Sequence, residues 1–81
     1  MQQGNNKSIK GFLSAHLKDY FALHDGDTPE SGLYELIMLE VEKTLIMETM
    51  IYTNSIQAKA AQILGISRNT LRKKLQELEI D

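Results

Sequence analysis

The sequence predicts an all-α protein of four helices, and three observations carry that reading. Apolar residues recur at i, i+3 and i+4 through most of the 81 residues. Turn-forming residues interrupt the pattern at 25–29, 53–55 and 65–67. No stretch shows the two-residue alternation of a half-buried strand.

Each element has its own justification. Residues 1–7 are polar and read as a flexible tail. Ile9, Phe12, Leu13, His16, Leu17, Tyr20 and Phe21 then form one stripe of an amphipathic helix, with Ser8 as its N-cap and an end near His24. Asp25-Gly26-Asp27-Thr28-Pro29 is a turn cluster. A second helix starts between Pro29 and Leu33 and runs to about Tyr52, with Thr28 or Ser31 placed to cap it. Leu33, Leu36, Ile37 and Val41 form its stripe, but Tyr34, Met38, Leu45, Ile46, Met47, Met50 and Ile51 widen the apolar surface beyond one face. A small domain has little to cover such a helix, so a second copy of the chain is expected to do so.

Thr53-Asn54-Ser55 breaks the pattern, with Ser55 as the expected cap of a short third helix, Ile56 to Leu64, whose inward residues are Ala60, Ala61, Ile63 and Leu64. Ser67 caps a fourth helix from Arg68 to about Leu78, with Leu71, Leu75 and Leu78 inward. The expected organisation is a tail (1–7), dimerisation helices (8–54) and a helix-turn-helix (55–81).

Composition excludes several functions. There is no cysteine, hence no disulfide and no thiolate site, and two histidines alone make no metal centre. No nucleophile–base set and no glycine-rich phosphate loop is visible, so neither an enzyme nor a cofactor or small-molecule site is expected. The longest aliphatic runs are far short of a membrane span and the start lacks a signal peptide's apolar core, which makes a cytoplasmic protein the expectation. His16 reads as a core or interface histidine, and Met38, Met47 and Met50 as packing. Tyr20, Phe21, Tyr34 and Tyr52 read as core rather than a stacking platform.

Charge is polarised along the chain. The net charge is −2. From Asp25 to Met50 seven acids face one base, a local charge of −6, whereas Ser67 to Leu75 holds four bases and no acid, +4. Such a molecule orients its basic end toward a polyanion. That end has the spacing of a DNA-binding helix-turn-helix. Ala61 is small where two helices cross, Gly65 permits a sharp turn, Ile66 plugs it and Leu71 locks the second helix onto the first. The second helix of such a unit enters the major groove of double-stranded DNA. The expected DNA-binding residues are Ser67, Arg68, Asn69, Thr70, Arg72, Lys73 and Lys74. Arg68 is placed for a guanine edge, and Arg72, Lys73 and Lys74 for phosphates.

Three blocks resemble the Fis (factor for inversion stimulation) family of nucleoid-associated proteins. They are Leu17-Lys18-Asp19-Tyr20-Phe21-Ala22, Leu33-Tyr34-Glu35-Leu36 with Glu40-Val41-Glu42, and Gly65-Ile66-Ser67-Arg68-Asn69-Thr70-Leu71-Arg72-Lys73-Lys74-Leu75. The same four-helix unit closes the nitrogen-regulatory sigma-54 activators. The resemblance implies an intertwined homodimer of the first two helices, which places Leu17, Phe21, Leu36, Ile37, Val41 and Leu45 at the interface. It also implies two recognition helices closer than one DNA turn, hence bent DNA and degenerate sites. A stand-alone DNA-bending regulator of the nucleoid is thus expected. The alternatives are the DNA-binding tail of a larger response regulator and a helical adaptor that binds no DNA.

Three departures from the family pattern stand out. Ser67 replaces an asparagine placed at a base edge. Thr44 replaces a proline of the enteric members, which predicts a weaker kink in the long helix. Residues 1–8 are too short for the family's N-terminal β-hairpin arm, so invertase activation is expected to be absent.

Overall fold

A computed structural model of the chain describes residues 8–24 and 31–80. The expected tail and the turn cluster from Asp25 to Pro29 lie outside the described residues. Four helices follow in order, α1 (Ile9–His24), α2 (Leu33–Tyr52), α3 (Gln57–Leu64) and α4 (Arg68–Glu77), with no strand among the described residues. The chain divides into two compact units, Met1–Ser31 and Gly32–Asp81.

In the first unit, α1 begins as the sequence predicts. Ser8 Oγ accepts a hydrogen bond from the Gly11 N–H at 2.9 Å, satisfying a donor that the first turn leaves open. The helix ends at His24, whose Nδ1–H donates to the Tyr20 carbonyl at 2.9 Å while its ring stacks obliquely on Tyr20. The apolar stripe of α1 buries none of its residues fully, and His16, expected in the core or an interface, is exposed in the single chain.

The second unit holds the core. Ile46 and Met50 of α2, Ala60 and Ala61 of α3, and Leu71, Leu75 and Leu78 at the C-terminal end pack as one cluster, with Leu64, Ile66 and Ile80 against it. Ala60 and Leu71 are fully enclosed. Two threonines are also buried here, Thr49 on α2 and Thr53 at its C-cap, and their hydroxyls donate back to carbonyls one turn earlier: Thr49 to Leu45 at 2.7 Å, Thr53 to Thr49 at 2.9 Å. Burial is tolerated because the helix itself satisfies them.

Helix lengths explain what the core leaves out. The 20 residues of α2 span about 30 Å, but the 8 of α3 and 10 of α4 only about 12–15 Å. The short helices cover the C-terminal half of α2 alone. Tyr34, Leu36, Met38, Leu39 and Val41, on the other half, are exposed in the single chain, as is Leu45 on the outer side of the covered half. Tyr34 is therefore not a core residue, as the sequence reading had it. Tyr52, also expected inside, points about a third of a turn away from the Ile46–Met50 face and is exposed.

Helix ends differ from expectation in two places. α2 begins with Gly32 in the left-handed region (φ 102) and no side-chain cap, so Ser31 does not cap it. Ser55 does not cap α3 either; Ile56 occupies that position. Ser55 instead closes α2, donating its N–H to the Met50 carbonyl at 2.8 Å, while Asn54 donates to Ile51 at 3.1 Å. This paired closure satisfies the last carbonyls of α2 and holds Asn54 and Ser55 at positive φ.

Candidate nucleic-acid interface

The turn between α3 and α4 determines where the basic residues point. α3 ends on Gly65 at φ 75, the left-handed conformation that a residue with a Cβ adopts at a cost. Gly65 donates to Ala61 and Gln62, and Ile66 to the Ala61 carbonyl at 3.1 Å. Ala61 is buried against the neighbouring helices, and Ile66 folds onto the core. The Ala61–Gly65–Leu71 spacing thus works as the sequence reading expected. One expectation fails: Ile63 is 56 % exposed. Ala60, Ala61 and Leu64 share one side of this short helix, and Ile63 falls roughly 100° from its centre.

Ser67 then starts α4. Its Oγ accepts from the Thr70 N–H at 3.0 Å and its hydroxyl donates to Thr70 Oγ1 at 2.9 Å. The serine at this position is therefore an N-cap, and its hydroxyl is committed to the helix. Leu71 and Leu75 bury one face of α4. Ser67, Arg68, Asn69, Thr70, Arg72 and Lys73 are all exposed. Arg72 and Asn69, one turn apart, are joined by a guanidinium N–H donating to Asn69 Oδ1 at 2.6 Å. The exposed surface of α4 thus places Arg68 at the positive end of the helix dipole and Arg72 and Lys73 about one turn further along, three cations suited to holding an anionic backbone.

Lys74 departs from this group. It is half-buried, and its Nζ lies 2.6 Å from Glu42 Oε2 on α2. That hydrogen bond, then the charge of Glu42 and that of Glu77, hold its ammonium above the usual lysine pKa range. Sequence spacing gave no sign of this pair, because its members are 32 positions apart and meet only in the folded unit.

Of the residues assigned to a dimer interface, Phe21, Leu36, Val41 and Leu45 are exposed and Leu17 and Ile37 half-buried in the single chain. Among the described residues no three His, Cys, Asp or Glu side chains gather into a metal-holding group, and no helix is long and apolar enough to cross a membrane.

Similarity to known proteins converges on the same region. The family model described as "Bacterial regulatory protein, Fis family" matches residues 38–78. A protein named DNA-binding protein Fis from Actinobacillus succinogenes is 43% identical over 75 residues, which is 93% of this chain and 75% of that protein. Its namesake in Proteus mirabilis is equally similar, with 76% of its length covered. The DNA-binding transcriptional regulator NtrC of Azospirillum brasilense is 42% identical over 80 residues, 99% of this chain but 17% of that larger protein. Core residues Ile46, Met50, Ala60, Ala61, Leu71 and Leu75, the Gly65 turn and the capped α4 all fall within the matched segment. With its helix-turn-helix inside that segment, this chain belongs to the Fis family of bacterial regulatory proteins.

Proposed function

We propose that this chain binds double-stranded DNA as a homodimer, bends it, and acts in the cytoplasm as a regulatory or nucleoid-organising protein. The observation that carries the reading is the exposed surface of α4: Arg68, Asn69, Arg72 and Lys73 are exposed on a helix that Leu71 and Leu75 lock into the core. Arg68, in the first turn, reads a base edge. Thr70, Arg72 and Lys73 hold phosphates, supplying affinity without sequence information. The Ser67 hydroxyl caps the helix rather than reading a base, which favours degenerate sites.

Dimerisation is supported by the apolar surface of α2 that the single chain leaves uncovered. Leu36 is 51 % and Leu45 54 % exposed in the single chain. Full burial of such a side chain is worth about 1.5–3 kcal/mol, so covering a half-exposed one gains roughly half of that. In this reading α1 and α2 of the two copies wrap each other, with Leu17, Phe21, Leu36, Ile37, Val41 and Leu45 between them. Two recognition helices closer than one DNA turn then demand a bent site.

Fluorescence anisotropy with an AT-rich duplex tests DNA binding, and sedimentation tests the dimer. The reading expects binding that weakens steeply with salt and a dimer at micromolar concentration. No binding at low salt favours a helical adaptor without DNA, and a folded monomer refutes the interface. The NtrC similarity, spanning nearly the whole chain, supports a second reading: the same unit as the DNA-binding end of a larger regulator. The native reading frame distinguishes the two.

A further inference from the structure

The four bases of α4 are not equivalent. At about 100° per residue, Arg68 and Arg72 lie on one flank of the buried Leu71–Leu75 stripe and Lys74 on the other. Arg68, Arg72 and Lys73 are exposed, but the Lys74 side chain retains only 34% of its accessibility and meets Glu42 at 2.6 Å. Glu42 sits one turn before Ile46, on the side of α2 that faces the core. The pair therefore bridges α2 and α4 beside the apolar contacts of Ile46, Met50, Leu71 and Leu75.

We propose that Lys74 is a positioning residue rather than a phosphate ligand, and that with Glu42 it sets the orientation in which α2 holds the DNA-binding helix. This rests on the DNA-binding function proposed above. Apolar packing selects a crossing angle for a ten-residue helix only to within about 15–20°. A charge-assisted hydrogen bond has a preferred length and direction. α2 is also the helix through which the two copies would associate. A contact that fixes α4 on α2 thus fixes one recognition face relative to the other, and so which bent duplex fits both. Its loss weakens the preferred site more than random DNA.

The test uses the full chain and two duplexes: the tightest binder selected from a random library, and a scrambled duplex of the same length. Variants are Glu42→Gln, Lys74→Gln, the exchange Glu42→Lys with Lys74→Glu, and Lys73→Gln as a phosphate-ligand control. Circular dichroism establishes that each is fully folded at the assay temperature. Glu42→Gln and Lys74→Gln are each expected to lose about threefold or more on the selected duplex and less than about twofold on the scrambled one, with unchanged salt slope. The exchange is expected to restore the ratio. Lys73→Gln is expected to lower the salt slope by about 1.

Tighter binding by Glu42→Gln, or a salt slope lowered by about 1 in Lys74→Gln, makes Lys74 a phosphate ligand and overturns the proposal. An unchanged ratio in both single variants, or a folded exchange variant that does not recover, overturns it equally. A wild-type chain that binds neither duplex refutes the DNA-binding reading itself and takes the positioning role with it.

Discussion

Replacing Leu71 by alanine should unfold this protein's helix-turn-helix more readily than any other single truncation on α4. Leu71 is wholly buried and sits in the cluster of Ile46, Met50, Ala60, Ala61 and Leu75, so all three helices of the second unit meet around it. The substitution removes three carbons, worth about 2.4 kcal/mol at 0.8 kcal/mol per buried methylene. Two of the flanking core residues are alanines, too short to fill the space, so a cavity cost adds to the transfer loss. A total of about 3–4 kcal/mol follows. For a chain of this length, whole stability is on the order of 4–12 kcal/mol, so the loss is a large share of it.

Urea denaturation followed at 222 nm measures the loss, at one fixed protein concentration because a dimer's midpoint depends on it. Ile63→Ala is the matched control, an aliphatic residue of like size that the structure leaves exposed. It should shift stability by less than about 0.5 kcal/mol. A Leu71→Ala loss under about 1 kcal/mol, or an Ile63→Ala loss of similar size to Leu71→Ala, would refute the packing described above.

Three further outcomes follow from particular positions. Gly65→Ala should cost about 1 kcal/mol through its backbone alone, since φ is 75 and an added Cβ meets nothing within 4 Å; a loss above about 3 kcal/mol by urea titration would point to a clash instead. Glu79 closes α4 at φ 57, with the next residue, Ile80, donating to the Leu75 carbonyl at 2.8 Å. Glu79→Gly relieves that conformation and removes an acid from the negative helix end, and should gain about 0.5–1 kcal/mol, read as a raised urea midpoint. Lys74, whose pKa is raised in the folded chain, contributes stability that is present at neutral pH and up to its unfolded pKa, then lost as pH rises through the folded value. Thermal melts above pH 10 should therefore decline more in the wild type than in Lys74→Gln, and equal declines would remove the Glu42 pair from the account.

Helix periods and local end signals were readable from residue types alone. Ser8 and Ser67 cap as expected, because an N-cap depends on a side chain and a backbone N–H three residues away. The Ala61–Gly65–Leu71 unit was equally legible, since each position needs a particular size or φ. What escaped is what depends on distant partners or on backbone choice. Ser55 carries a capping side chain, but the closure of α2 takes its backbone first. Ile63 and Tyr52 belong to apolar patterns, yet the faces that α3 and α2 turn inward are narrower than those patterns. Lys74 looks like its basic neighbours until Glu42 is brought to it by folding.

The central claim is that the exposed face of α4 grips DNA, and the salt dependence of binding tests it most directly. Anisotropy of a labelled AT-rich duplex, titrated from low salt upward, should give log K falling linearly with log salt. Arg68→Ala should cost about 1–3 kcal/mol at the preferred site, while Lys73→Ala should weaken all sequences alike and lower the slope by about 1. Binding indifferent to salt, or unchanged in both variants, would contradict the account.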